Sequence, residues 1–315
     1  MGITTRSLAL RYDDMNRSNM SRRDAFFLAV LAPLLGQAPD RAPSRLSVES
    51  YIWIQYAQRL HKPLGAVLDV IFPMAREAGF RNVELNQDFL TPQLRGRVLQ
   101  LVTANKLALP SVYVGGPMHE RSLANRTISN CLKTAALCKS FGCRAIVTNP
   151  DPKPGGAPKS DAELAFQVRM LNRLGRELAQ RGFQLWTHAH APEMVDNARE
   201  WRYNLHHTDP SYVWICLDLD WVYQGGQDPL QLLREAGRRV ASLHLRNSRH
   251  KLWLESFGKG DIDYTKIAAY LNRANLKPLL VVELAYRKNT VVTRPLEEDL
   301  RLSRAYAERV FGVRA

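Results

Sequence analysis

Two histidines one residue apart close an apolar run at Phe183-Gln184-Leu185-Trp186-Thr187-His188-Ala189-His190, and Glu193 follows three residues later. In a strand, positions i and i+2 share a face, so both imidazoles point the same way where the strand persists. Nitrogen donors at the end of a buried strand, with a carboxylate just beyond, suit a divalent metal or a polar substrate. The pattern recurs along the chain: Glu84, Asp218 with Asp220, His244, and Glu283 each end an apolar run. Burying a lone charge is costly without a partner, so these groups are expected to meet in one shared site. His188, Asp218, His244 and Glu283 supply two imidazoles and two carboxylates. Such a mixed nitrogen and oxygen set suits Mn, Co, Zn or Mg better than a metal selected by thiolates.

The elements that must position these residues alternate from Ser47 onward. Strand-like runs are expected at Ser50 to Ala57, Asn82 to Leu85, Leu107 to Val114, Cys143 to Thr148, Phe183 to His188, Tyr212 to Asp218, Val240 to Leu245 and Leu279 to Leu284. Helical spacing follows each of them, for example Val67, Leu68, Ile71, Phe72 and Ala75 after the first. Ser160-Asp161-Ala162-Glu163 has the spacing of a capping box and is expected to open a helix. Runs such as Ala145-Ile146-Val147-Thr148 are apolar throughout, as strands of a parallel sheet covered on both faces must be. Regular strand–helix alternation over some 270 residues predicts a single-domain (β/α)8 barrel of the TIM type. A doubly wound open sheet is the alternative, but no glycine-rich dinucleotide loop follows the first strand.

Composition narrows the class. The chain has 315 residues, of which 45% are hydrophobic and 23% charged, enough to bury a sizeable core. No run is long enough for a membrane-spanning helix. Residues 1–44 differ from the rest. Arg17, Arg22 and Arg23 precede an apolar stretch from Ala25 to Gly36, and Ala38 offers a small residue for cleavage. That is the layout of a signal peptide. Ser21-Arg22-Arg23-Asp24 further resembles a twin-arginine export signal. The expectation is a leader over 1–44, a barrel over 45–315 and a periplasmic location. A cytoplasmic one follows if the segment is not recognised, for instance as an amphipathic helix packed on the domain. The net charge of +14 raises nucleic acid as a partner. The basic residues are scattered without a run, however, and a solvated basic surface is the expectation. Cys131, Cys138, Cys143 and Cys216 match no zinc spacing, and no disulfide framework is expected.

At this point the motifs carry a family resemblance. Gly79-Phe80-Arg81-Asn82-Val83-Glu84-Leu85 resembles the G-x-x-x-V-E-L segment of the sugar phosphate isomerase/epimerase group of xylose isomerase-like barrels, whose domain is also that of certain abasic-site endonucleases. His188-Ala189-His190-Ala191-Pro192-Glu193-Met194 is similar to the H-N-H-x-x-E-F pattern of one subgroup. Leu217-Asp218 with Trp221, Gly225-Gly226 and Asp228-Pro229 resembles its L-D-x-x-W segment. Ser242-Leu243-His244-Leu245-Arg246-Asn247 is similar to H-x-K-D, Gly258-Lys259-Gly260-Asp261-Ile262-Asp263 matches G-x-G-x-I-D, and Val282-Glu283 matches V-E.

The resemblance implies a divalent metal on Asp218, His244 and Glu283. His188 stands where the family's epimerases carry a glutamate. In those epimerases the two glutamates work as bases on opposite faces of the substrate. Here Glu283 is expected to take a proton α to a carbonyl, with an enediolate as intermediate. His188 is the other catalytic candidate, but a metal-bound imidazole cannot readily serve as base through the same nitrogen. The change leaves room for one-base isomerisation, and for elimination from or hydrolysis of a 3-keto-glycoside. His190, Glu193, Glu84, Trp221, Arg246 and Lys259 are expected to contact a carbohydrate substrate, with Tyr113 and Trp253 as further stacking faces. Two other classes compete. A non-catalytic sugar-binding barrel needs no metal chemistry. A DNA-repair endonuclease needs extra histidines that Tyr113-Val114 and Thr148-Asn149 do not supply.

Overall fold

The computed structural model describes residues 44–288 and 290–315, and the leader expected at the N-terminus lies outside them. Ser44–Ala315 forms one compact unit. Eight parallel strands close a barrel: β1 (Leu46–Glu49), β2 (Asn82–Asn86), β3 (Ser111–Tyr113), β4 (Ala145–Thr148), β5 (Gln184–Thr187), β6 (Val213–Asp218), β7 (Val240–Leu245) and β10 (Leu279–Val282). A two-stranded hairpin, β8 (Ser248–Arg249) with β9 (Leu252–Trp253), follows β7. The order β1-β10-β7-β6-β5-β4-β3-β2 sets β1 beside β10, and sets β5 across the barrel from β1. The (β/α)8 expectation holds.

Helices cover the outside: α1 (Tyr51–Arg59), α2 (Leu68–Glu77), α3 (Arg95–Ala104), α4 (Arg121–Cys138), α5 (Asp161–Ala179), α6 (Val195–His207), α7 (Leu219–Gln224), α8 (Pro229–Ala236), α9 (Tyr264–Arg273) and α10 (Leu296–Phe311). The capping box at Ser160 forms as expected: Glu163 N–H donates to Ser160 Oγ at 3.3 Å, and Ser160 N–H donates to Glu163 Oε2 at 2.7 Å. All four cysteines are free and buried. No helix among the described residues is long and apolar enough to cross a membrane.

The first strand needs correction. Ser50 to Ala57 was expected to be extended because Tyr, Ile and Trp favour strands. It is instead the start of α1, and the strand is the four residues before it. Burial explains the outcome: Ile52, Trp53 and Ala57 are buried on one helical face while Tyr51 is exposed. The Trp53 ring packs 5.4 Å from Phe72 and 6.1 Å from Phe89. Large aromatic burial of this kind overrides a weak backbone preference. The shift by one element places Glu49, not Ala57, at the end of β1.

Strand periodicity then decides what faces the barrel axis. Ala145, Val147, Trp186 and Cys216 form a small apolar plug inside the barrel. Two residues further along β5 and β6, on the same face, come His188 and Asp218. The polar site is thus stacked one layer above an apolar floor, at the C-terminal mouth where functional groups gather in such barrels.

Candidate active site and metal centre

A cavity of about 310 Å³ opens at this mouth, lined by Glu49, Asn86, Tyr113, His188, His190, His244, Arg246 and Glu283, with Tyr51, Trp221 and Trp253 around its rim. One ligand atom from each of His188, Asp218, His244 and Glu283 lies within 4.8 Å of the others. The four residues are the one after β5, the last of β6, one within β7 and the one after β10, so the closed sheet is what brings them together.

Their electrostatics follow from burial and pairing. His244 Nδ1 is 2.6 Å from Glu283 Oε2, and its Nε2 is 2.8 Å from Glu84 Oε1. The second contact has the distance of a charged pair without hydrogen-bond alignment. Burial alone lowers the His244 pKa, but Cys216, Glu84 and Glu283 reverse this and hold it well above the ordinary imidazole value. Cys216 is a neutral thiol at neutral pH, since burial pushes it up to about 11, so the carboxylates are the effective partners. Glu283 is held well below the usual carboxylate range: burial opposes this, while Arg246 and His244 bring it about. His188 is pushed down to about 3 by burial and by His244. It is neutral, and both of its buried ring nitrogens lack a hydrogen-bond partner.

These observations fit a metal. An unpaired buried imidazole is costly unless a ligand satisfies it. A histidine that ligates through one nitrogen usually has a carboxylate or carbonyl at the other. Glu84 occupies that position on His244 and is itself held by the Ser111 hydroxyl, leaving Nδ1 directed at Glu283. Asp218 also caps α7, accepting the Trp221 N–H at 2.8 Å through Oδ1, which orients its Oδ2 toward the site.

The remaining expected residues divide. His190 lines the cavity, its ring 4.8 Å from His188 and 5.1 Å from Trp221. Burial and His188 push it down to about 3. Trp221 and Trp253 meet edge to face at 5.2 Å, and Arg246 reaches the cavity between them and the carboxylates. Three residues expected to contact a substrate lie outside the cavity lining. Glu84 is buried beneath the cavity against His244, because Asn86, two residues later on the same strand face, is the one at mouth level. Glu193 folds back in a short turn and accepts the His190 N–H at 2.8 Å, which fixes the loop. Lys259 is exposed on a loop outside the cavity lining; its neighbour Gly260 packs so tightly that a Cβ there would lie 2.2 Å from the Ser248 carbonyl oxygen.

Sequence reasoning missed Glu49. Its Oε2 accepts the Tyr51 N–H, and the residue borders the cavity beside Glu283. Burial, Glu283 and Glu84 raise its pKa well above the usual carboxylate value. The signal was present in Leu46-Ser47-Val48-Glu49, another apolar run ending in a carboxylate, but the more strand-like segment after it concealed it.

Known proteins share this fold. A family model described as a xylose isomerase-like TIM barrel matches residues 72–308. An inosose dehydratase of Geobacillus kaustophilus is 26% identical over 210 residues, 62% of this chain and 67% of the relative. For other inosose dehydratases the chain spans about half of their length. Among solved structures, L-ribulose 3-epimerase superposes with a TM-score of 0.68 at 16% identity, covering 86% of this chain and 95% of that one. A 3-keto-D-glucoside 4-epimerase from E. coli does so with a TM-score of 0.62 at 16% identity, covering 85% and 100%. The family match extends over most of the barrel and takes in all four residues of the candidate metal centre, and the chain belongs to the xylose isomerase-like TIM barrel family.

Proposed function

We propose that this barrel is a divalent-metal-dependent lyase that removes water from a polyhydroxy ketone, a keto-sugar or keto-cyclitol. The observation that carries the proposal is the pair Glu49 and Glu283. They lie side by side at the ends of adjacent strands, and their surroundings shift their pKa values in opposite directions. Environments that push two carboxyls apart in this way assign one as acid and the other as base.

His188, Asp218, His244 and Glu283 would hold the metal, which supplies Lewis-acid polarisation of the substrate carbonyl. The ionised Glu283 takes the proton α to that carbonyl. The electron pair of the broken C–H bond forms a C=C bond as the β C–O bond breaks. The protonated Glu49 gives its proton to the departing hydroxyl, which leaves as water. The product is an unsaturated ketone, and no oxidant is consumed. Both groups stand on one side of the cavity, so the elimination takes place on one face of the ring. His188, neutral and without a hydrogen-bond partner, serves as ligand and not as a second base. Trp221 and Trp253 offer apolar faces to the ring, and His190 offers a nitrogen to a hydroxyl. The inosose dehydratase relatives support this reading.

A second reading, epimerisation, is favoured by His190, which lines the cavity just after β5, three strands round the barrel from Glu283, and by the fold shared with L-ribulose 3-epimerase. One experiment separates the two. The full chain with Mn2+ and a keto-inositol in deuterated water is followed by proton NMR and by ultraviolet absorbance. Dehydration gives α-proton exchange and a conjugated product. Exchange with an epimer and no water loss selects the second reading. No exchange on any tested polyhydroxy ketone sinks both.

A further inference from the structure

Arg246 stands where it competes with the metal that the preceding reading assigns to His188, Asp218, His244 and Glu283, and the inference here rests on that reading. Its Nη2 donates to Asp218 Oδ2 at 2.9 Å and its Nη1 to Glu283 Oε1 at 3.1 Å. Its Nε lies 3.7 Å from Asp220 Oδ2. Two of the four candidate donors are therefore already paired with a side chain that stays charged at every accessible pH. The arrangement is built and not incidental. The Arg246 side chain is 1% exposed. Its guanidinium lies 4.4 Å from the ring centre of Trp253 and 5.2 Å from that of Trp221. The Tyr264 hydroxyl donates to the Arg246 carbonyl at 2.5 Å and pins the backbone just beyond β7.

Such a cation does two opposing things. Without a metal it neutralises Asp218 and Glu283, which would otherwise be buried charges with too few partners. With a metal it is a like charge a few ångströms away in a site of low dielectric, where repulsion is strong. It also occupies the oxygens that the ion needs. We propose that Arg246 is the resident cation of this site: it holds Asp218 and Glu283 in place when no metal is bound, and it must release at least one of them for the metal to enter. Arg246 then sets how tightly the ion is held, and the two tryptophans against it report the exchange of partners.

The test uses full-length protein stripped with a chelator and titrated calorimetrically with Zn2+ and with Mn2+. Arg246→Met removes the charge and keeps much of the bulk; it is expected to bind the ions at least about tenfold tighter than the unaltered protein. Arg246→Lys keeps the charge and is expected to stay within about threefold. Binding by Arg246→Met alone also supports the proposal. Equal or weaker binding by Arg246→Met overturns it while the metal reading stands, as does Arg246→Lys tightening as much as Arg246→Met. Binding by neither form overturns both. Because Arg246→Met leaves buried carboxylates unpaired and can fail to fold, the unaltered protein supplies an independent measurement. Saturation with Zn2+ is expected to change the tryptophan emission as the guanidinium shifts against Trp221 and Trp253. Unchanged emission at saturation overturns the proposal.

Discussion

Glu49 lies beside Glu283 because β1 and β10 are neighbours in the barrel, with Val48 in register with Val282. Burial and two nearby carboxylates raise the Glu49 pKa well above the usual carboxylate value, while Arg246 and His244 hold that of Glu283 well below it against the cost of burial. Replacing Glu49 by Gln keeps the size and the Tyr51 N–H contact but removes the transferable proton. The expected result is a loss of water elimination by about 10²–10⁴-fold, the usual contribution of a positioned acid. Exchange of the substrate α-proton, which depends on Glu283, persists. Following exchange by NMR and product by absorbance on the same sample checks both at once; dehydration that survives within threefold excludes Glu49 as the acid.

The Glu84 and His244 pair gives a second prediction. Glu84 does not line the cavity, yet it faces His244 Nε2 at 2.8 Å and so leaves Nδ1 to the candidate metal centre. Glu84→Gln is isosteric but neutral, and it weakens the hold on the neutral tautomer with its proton on Nε2, the form that leaves Nδ1 free to ligate. Metal affinity is expected to fall about 10–100-fold, as for other carboxylates that orient ligating histidines. Calorimetric titration with Zn2+ measures it. An unchanged affinity indicates that Glu84 serves the barrel interior alone.

Much of this was legible in the chain. His188, Asp218, His244 and Glu283 each end an apolar run, and a parallel barrel strand is apolar because both of its faces are covered. The end of such a run is therefore the mouth of the barrel. Depth along the strand was not legible. Glu84 and Asn86 share a face, and only the stagger between neighbouring strands makes Asn86 the one at the rim. Glu49 was hidden for a different reason. Its strand is four residues long, and the helix behind it is richer in Ile, Trp and Tyr than the strand itself. Local preference pointed to the wrong segment, and aromatic packing on α2 decided the matter. The place of Glu193 outside the cavity lining was not legible, because sequence shows its distance from His190 along the chain but not the tight turn that bends it back.

Lys259 supplies a contrast. It sits in the loop segment that matches the family pattern, but it is exposed and does not line the cavity. Lys259→Ala is expected to leave turnover within about threefold and stability within about 0.5 kcal/mol, as for exposed substitutions away from special features. Steady-state rates and thermal unfolding measure the two. A large loss of activity would place this loop over the substrate during turnover.

Glu193 makes the stability of the barrel depend on pH. Its side chain is buried, and burial with the nearby Glu200 pushes its pKa up to about 7 against the opposing effects of the His190 N–H and Lys159. The folded value lies above the unfolded one, so the fold prefers the protonated form. This contribution is fully present below the unfolded carboxylate value and is lost as pH rises through about 7. The total change is on the order of 3 kcal/mol, spread between the two values. Glu193→Gln keeps an oxygen for the His190 N–H and carries no charge at any pH. Urea unfolding at pH 5 and at pH 8 is expected to show the unaltered protein losing stability at the higher pH by more than the variant does, with the variant the more stable of the two at pH 8. Parallel pH profiles for the two proteins would mean that Glu193 is ionised in the fold throughout, with Lys159 compensating its charge.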